Sequence, residues 1–217
     1  MGVILSILFF ASVFSQRVHE IYLYEYKGKS VVYLSAIGLG SASGFQVMSE
    51  SGKLFIMTNR HVCDGMTRYD NEIMWENIEG KVGFVKPVYR DEKADLCLLE
   101  PADDLAPLGI AGKIYSREKL ALVGHPGGRG LTFEKGYYVE RKTIRLRNYC
   151  YENKRRYCYI NYTSNHLNNI AYPGNSGSPV MDFFGRVVGV LFAGSPSYPT
   201  VSYMVPLEDI KRVLSKH

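Results

Sequence analysis

The segment Tyr172-Pro173-Gly174-Asn175-Ser176-Gly177-Ser178-Pro179-Val180 sets one serine between glycines, after a loop and ahead of an apolar run. A serine hydroxyl is a weak nucleophile until an imidazole removes its proton and backbone N–H groups receive the oxyanion that forms on the attacked carbonyl. Gly174 and Gly177 allow the sharp turn that aims such N–H groups, and Gly174 carries no side chain to obstruct a substrate. Taken alone, the segment is equally a glycine-rich turn of the sort found in any β protein. Two other segments shift the balance. Thr58-Asn59-Arg60-His61 ends one apolar run and Ala94-Asp95-Leu96 opens another, so the chain presents His, Asp and Ser in that order.

Such residues act together only if distant elements bring them together, and composition indicates which elements. The chain has 217 residues, 46% hydrophobic and 22% charged, enough to bury a core and far from a disordered or fibrous composition. With 21 Gly, 9 Pro and 17 Tyr, it favours short strands broken by tight turns over a helical bundle. Alternation and turn residues predict strands at 19–26 and 30–35, followed by the small residues Gly38 to Gly44, which let one backbone approach another. Strands follow at 45–48 and 53–58, the second delivering His61, and at 71–74, 82–88 and 96–99, the last with Asp95 at its entrance. In the second half they fall at 120–123, 132–139, 143–149, 157–162, 178–181, 187–192 and 202–205. Only the end reads as helix: after Pro206, the residues Leu207, Ile210, Val213 and Leu214 share one face. Pro101 to Gly112 has little periodicity and reads as a linker. The chain then divides into an apolar start, 1–16, a first β half, 17–110, and a second β half with the closing helix, 111–217.

Five segments together resemble the chymotrypsin-like serine peptidases, from about Ser30 to the C-terminus. They are Ser43-Gly44-Phe45, Thr58-Asn59-Arg60-His61-Val62, Ala94-Asp95-Leu96-Cys97-Leu98-Leu99, Val123-Gly124-His125-Pro126-Gly127 and Gly174-Asn175-Ser176-Gly177-Ser178-Pro179. The sequence is most similar to the bacterial trypsin-like branch that includes HtrA-type and glutamyl-endopeptidase-type enzymes. The resemblance implies an all-β fold of two antiparallel six-stranded barrels, with the active site in the cleft between them and a C-terminal helix against the second. It implies a serine endopeptidase that needs no cofactor and cleaves polypeptides through an acyl-enzyme. On that pattern Ser176 attacks the scissile carbonyl, and His61 acts first as general base and then as general acid. Asp95 holds the imidazole tautomer, and the Gly174 and Ser176 amides form the oxyanion hole.

The same resemblance places Ile170, Ala171, Phe192, Ala193, Gly194 and Val201 around the pocket for the side chain on the acyl side of the cut. None is charged, and Leu191 stands where glutamyl-specific enzymes carry a histidine. A small or medium apolar side chain is therefore the expected preference. Asn175 replaces the Asp that pairs with a freed N-terminus in animal trypsins, and no Ile-Val-Gly-Gly activation site is present, so zymogen control by that ion pair is not expected. Nor is a peptide-binding PDZ module, since the chain stops just past its closing helix.

Other features keep alternatives open. A non-catalytic peptide-binding protein on the same scaffold would retain these motifs with a collapsed oxyanion loop. The basic stretch Arg141 to Arg156, whose Arg and Lys are interleaved with Tyr149, Tyr151 and Tyr157, could stack single-stranded nucleic acid. It reads better as a solvated hairpin edge whose charges block strand-to-strand aggregation, and the formal charge of +5 is mild, so no nucleic-acid partner is expected. His166, in the polar segment 165–169, is the closest rival to His61 as a base and is expected to face solvent. There is no pair of Cys-x-x-Cys knuckles, so no structural metal is expected. Cys150 and Cys158 flank a polar turn that could set them opposite each other in a bridge, while Cys63 and Cys97 read as buried free thiols. The run Val3 to Phe14 is too short for a membrane span. It fits either a signal peptide, cleaved near Ala11 to Ser15 and leading to a secreted or periplasmic protein, or a first element packed on the core.

Overall fold

Two antiparallel sheets, one from each half of the chain, frame the computed structural model, which describes residues 22–67, 72–150, 156–195 and 197–217. The apolar start and its candidate cleavage site lie outside the described residues. In the first half, β1 (Val31–Ala36), β2 (Gly40–Met48), β3 (Leu54–Thr58), β4 (Ile73–Glu76), β5 (Val82–Val85), β6 (Pro87–Arg90) and β7 (Cys97–Leu99) form one sheet in the order β5-β4-β1-β2-β3-β7-β6. The two edges, β5 and β6, are separated by Lys86 alone, so the sheet curls until its edges meet in the chain. The single strand expected at 82–88 is thus bent into two at Pro87, which has no N–H to give a continuous ladder. In the second half, β8 (Lys119–Gly124), β9 (Thr132–Cys150), β10 (Arg156–Asn168), β11 (Pro179–Met181), β12 (Val187–Gly194) and β13 (Val201–Pro206) close a barrel in the order β10-β13-β12-β11-β8-β9. Helix α1 (Arg60–Met66) follows β3, and α2 (Leu207–Leu214) ends the chain.

Strands β7, β11 and β12 are buried on both faces, which is why they read as continuous apolar runs. Along β1, Val32, Leu34 and Ala36 point into the first half's own core, with Ile56 and Leu99, while Val31 points into a core shared by both halves. In β12, Val188 and Leu191 fill the second barrel, and Val187, Val190 and Phe192 join the shared core. Alternation lets one strand serve two cores, and in β12 it is reset where the pairing with β11 skips from Gly189 to Val187. Ile210, Val213 and Leu214 of α2 complete the shared core. Gln46, fully buried in β2, pins the linker: its amide donates to the Ala102 and Leu105 carbonyls and its carbonyl accepts the Ala102 N–H. The linker then forms parallel bridges to both sheets, Leu108 with Val47 and Ile110 with Val187.

Three expectations about local structure need correction. The strand expected at 19–26 is, over its described part, a π-helical turn at Leu23–Lys27. Tyr22, Tyr24 and Tyr26 alternate as a strand would, but Tyr22 and Tyr26 instead stack four residues apart, with ring centroids 5.7 Å from each other. The gap expected between 139 and 143 does not exist, because β9 runs unbroken and pairs with β10 from Tyr138 to Cys150. Among the described residues, this hairpin pairs beyond itself only with β8 and β13, and Arg141, Lys142 and Arg145 along β9 are exposed. Finally, His61 arrives on α1 rather than at a strand end. The spacing of Val62, Cys63 and Met66, all buried, is the helical signal that the strand reading passed over.

Helix α1 also decides the cysteine chemistry. It folds back over the sheet and sets Cys63 beside Cys97 of β7, Cα atoms 6.5 Å apart, where the two form a disulfide rather than the free thiols expected. In the β9–β10 ladder Cys150 stands across from Arg156, and Cys158 across from Asn148, so the two are not direct partners. A crosslink between residues 34 apart in sequence restricts the unfolded chain. The Cys63→Ala/Cys97→Ala variant is expected to lose about 3–4 kcal/mol of stability in urea unfolding. A wild-type midpoint unmoved by reductant would contradict the bridge.

Candidate active site

His61 and Asp95 meet although they lie on different elements. Asn59 ends β3 in extended conformation, and the chain turns at once into α1, which projects the His61 ring toward the loop before β7. His61 Nδ1 lies 2.6 Å from Asp95 Oδ2, and its backbone N–H donates to Oδ1 at 2.9 Å, so the carboxylate grips both ring and main chain. Asn59 Nδ2 donates to the Asp95 carbonyl at 2.9 Å. The Asp95 side chain is 4% exposed and that of His61 32%, an inner carboxylate with an imidazole open to a ligand. Desolvation disfavours the imidazolium, but the charge and hydrogen bond of Asp95, with a smaller contribution from Asp64, outweigh it and raise the His61 pKa.

Ser176 sits in a turn whose four carbonyls from Pro173 to Ser176 are all engaged. Pro173 C=O accepts Gly127 N–H (2.6 Å), Gly174 C=O accepts Ser43 Oγ (2.9 Å), Asn175 C=O accepts Ser178 N–H (3.0 Å) and Ser176 C=O accepts Ser43 N–H (2.8 Å). Among the N–H groups, Asn175 donates to Tyr172 and Gly177 to Leu191. Among the described residues, the N–H groups of Gly174 and Ser176 have no protein acceptor. Two glycines make the turn possible: Gly174 has φ +94°, and Gly177 has φ +84° and packs so closely that a side chain would collide with the Ser43 carbonyl and the Thr58 hydroxyl. The turn therefore rests on the end of β3, from which the chain enters α1 and His61. Among the described residues, no hydrogen bond joins Ser176 Oγ to His61; catalytic hydrogen bonds of ligand-free sites are often long and tighten on binding.

Beside Ser176 opens a pocket of about 310 Å³, lined by Ala171, Tyr172, Pro173, Leu191, Ala193, Gly194 and Ser195, with no charged side chain on its wall. A model of the trypsin-like peptidase domain matches residues 42–190, a span that contains His61, Asp95 and Ser176. The chain belongs to this family. It is 26% identical over 184 residues to the Do-like serine protease HtrA of Bacillus subtilis, covering 80% of this chain and 38% of that protein. To a probable periplasmic serine endoprotease, DegP-like, of Hahella chejuensis it is 30% identical over 182 residues, covering 81% of this chain and 35% of the relative. The chain thus spans little more than a third of the length of these curated relatives. The active form of the Rv3671c protease of M. tuberculosis superposes with a TM-score of 0.72 at 20% identity, covering 89% of this chain and 82% of that one, a likeness of fold.

Within this trypsin-like domain, Ala171, Ala193 and Gly194 line the pocket beside Ser176, and Ile170, Phe192 and Val201 do not. Alternation along β12 explains Phe192: with Leu191 and Ala193 facing the pocket, its ring turns the other way into the shared core. There it lines a second cavity of about 250 Å³ with Asp95, Lys93, Arg141 and Asp209. Ile170 is exposed, and Val201 pairs with Asn168 at the start of β13. His166, expected in solvent, is buried, its ring edge-on to Tyr203 at 4.8 Å and its Nδ1 3.8 Å from Glu140. Burial lowers its pKa. Asn175 is 1% exposed, and among the described residues its side-chain amide has no hydrogen-bond partner.

Sequence reasoning passed over Asp91, which organises the loop carrying Asp95. Its carboxylate, 1% exposed, accepts Arg212 Nη1 and Nη2 at 2.8 and 2.9 Å, Tyr89 Oη at 2.9 Å and the Ala94 and Lys93 N–H groups at 2.7 and 3.0 Å. Burial pushes its pKa up, but the Arg212 guanidinium and the other donors hold it well below the usual carboxylate range. Asp91 stands four residues before Asp95, and that spacing was the available signal. Its partner Arg212 lies on α2, more than a hundred residues away, and nothing local announces the pair.

Proposed function

We propose that this chain is a serine endopeptidase that hydrolyses polypeptides through an acyl-enzyme. Ser176 Oγ attacks the scissile carbonyl and passes its proton to His61, which then protonates the leaving amine; Asp95 holds Nδ1–H and stabilises the imidazolium. The observation that carries this reading is the pair of N–H groups, on Gly174 and Ser176, left without an acceptor among the described residues while the carbonyls from Pro173 to Ser176 are all bonded. Donors left free by their own fold are ready for the oxyanion of a tetrahedral intermediate.

The acyl-side specificity follows from the pocket beside Ser176. Its walls are alanine, glycine, leucine and proline, with Tyr172 and Ser195 toward the polar side, so a charged side chain would find no counter-ion. Gly194 faces Ala171 across the opening: a Cβ added at 194 would lie 3.6 Å from the Ala171 Cβ. Incubation with a peptide library is expected to show cuts after small or medium apolar residues. Gly194→Val, which narrows the opening, is expected to shift the choice toward alanine by about tenfold or more in kcat/KM. A profile dominated by basic or acidic residues at the cut would overturn the assignment of this pocket.

A further inference from the structure

We propose that Ser43 is a positioning residue for the oxyanion hole, its hydroxyl and amide together fixing the turn that carries the Gly174 and Ser176 N–H groups; this rests on the peptidase reading above. Ser43 lies on β2 in the first half, fully buried, and reaches across to the second. Its N–H donates to the Ser176 carbonyl at 2.8 Å. Its Oγ donates to the Gly174 carbonyl and accepts the His125 N–H, both at 2.9 Å, so one hydroxyl uses its proton and a lone pair to join two loops. Thr58 Oγ1 donates to the Ser43 carbonyl at 2.8 Å and ties the same residue to the strand that leads to His61. Gly124 supplies the space, since a Cβ there would lie 3.0 Å from the Ser43 hydroxyl.

In a trans peptide the N–H points away from its own carbonyl. The Pro173 carbonyl is drawn to Gly127 N–H, so the Gly174 N–H must point to the opposite side. The Ser43 hydroxyl then fixes the next peptide, Gly174–Asn175, whose N–H returns to the Tyr172 carbonyl at 3.0 Å. Removing that hydroxyl leaves two polar groups, the Gly174 carbonyl and the His125 N–H, without their partner at once. Glycine at 174, with φ +94°, offers little resistance to rotation of the freed peptide. Oxyanion donors act because they are aimed before charge develops, so loosened aim costs transition-state stabilisation while leaving substrate binding largely intact.

The full chain and its Ser176→Ala variant are first exposed to a fluorophosphonate probe. Label on the wild type alone establishes the peptidase reading, and no label on either overturns both that reading and the proposal. Ser43→Ala is then expected to lower kcat about 10- to 100-fold, less than outright loss of an oxyanion donor, with KM within about threefold. Affinity for a peptide aldehyde should fall by a similar factor: Ser176 Oγ bonds to the aldehyde carbon, its proton passes to His61, and the carbonyl oxygen becomes the oxyanion. Gln46→Leu removes buried hydrogen bonds from the same strand that go to the linker and not to the turn, and is expected to lower the thermal midpoint while keeping kcat. Ser43→Cys, close in size with a weaker donor, should fall between wild type and Ser43→Ala, and decides the matter should the alanine variant not fold. The proposal is overturned by label on the wild type together with any of three results. These are wild-type kcat and aldehyde affinity in Ser43→Ala, wild-type kcat in Ser43→Cys, or equal loss of kcat in Gln46→Leu at matched loss of midpoint.

Discussion

Replacing Ser176 by alanine is expected to lower kcat by roughly 10⁶-fold and to abolish fluorophosphonate labelling, with the fold intact. The expectation of an intact fold is specific. Ser176 holds its turn through its carbonyl, which accepts the Ser43 N–H, whereas its Oγ donates no hydrogen bond among the described residues. Alanine therefore removes only the nucleophile. The two N–H groups of Gly174 and Ser176 and the neighbouring pocket survive, so a residual rate of about 10³–10⁴ over the uncatalysed reaction should persist. Single-turnover assays of a peptide ester, with circular dichroism as the check on folding, measure both parts. A folded variant that still cleaves at a tenth of the wild-type rate would show that another group attacks, and one that unfolds would show that the Ser176 hydroxyl is needed to hold the turn.

Asp95→Asn is expected to cost about 10⁴-fold in kcat and to move the pH dependence. In the wild type, Asp95 raises the His61 pKa above the ordinary imidazole value of 6.5. The neutral ring is the active base, so kcat/KM should climb with pH and reach its plateau only above that raised pKa. Asparagine removes the negative charge, and the acid limb should then move to lower pH even as the plateau collapses. The collapse follows from the tautomer. An amide N–H placed where Oδ2 lies 2.6 Å from His61 Nδ1 would force the ring proton onto Nε2, where it cannot accept a proton from serine. Rate profiles from pH 5 to 10 test both effects. An unmoved acid limb, or a loss below tenfold, would separate Asp95 from the chemistry.

The residues proposed to bear the chemistry were legible because each sits in a short, local pattern: glycines around Ser176, an apolar strand before His61, another after Asp95. Strand positions were legible for a related reason, since double-sided burial writes a continuous apolar run that ends where the strand ends. Patterns failed where the partner was distant. Tyr22 to Tyr26 alternate like a strand, yet a helical turn forms there, and Phe192 was assigned to a pocket that its place in the alternation of β12 denies it.

The amino-acid order thus determined most of the strands and the closing helix, the candidate nucleophile, base and carboxylate, and an apolar rather than charged pocket, because these depend on residue type and on neighbours within a few positions. Tertiary structure alone decided that Cys63 bonds to Cys97, that Arg212 of the last helix clamps the Asp91 loop, and that Ser43 reaches the Ser176 turn. Each of those contacts joins segments separated by 34 to 131 positions. At that range the local sequence carries no period or spacing to read, and only the packing of the two sheets fixes which side chains meet.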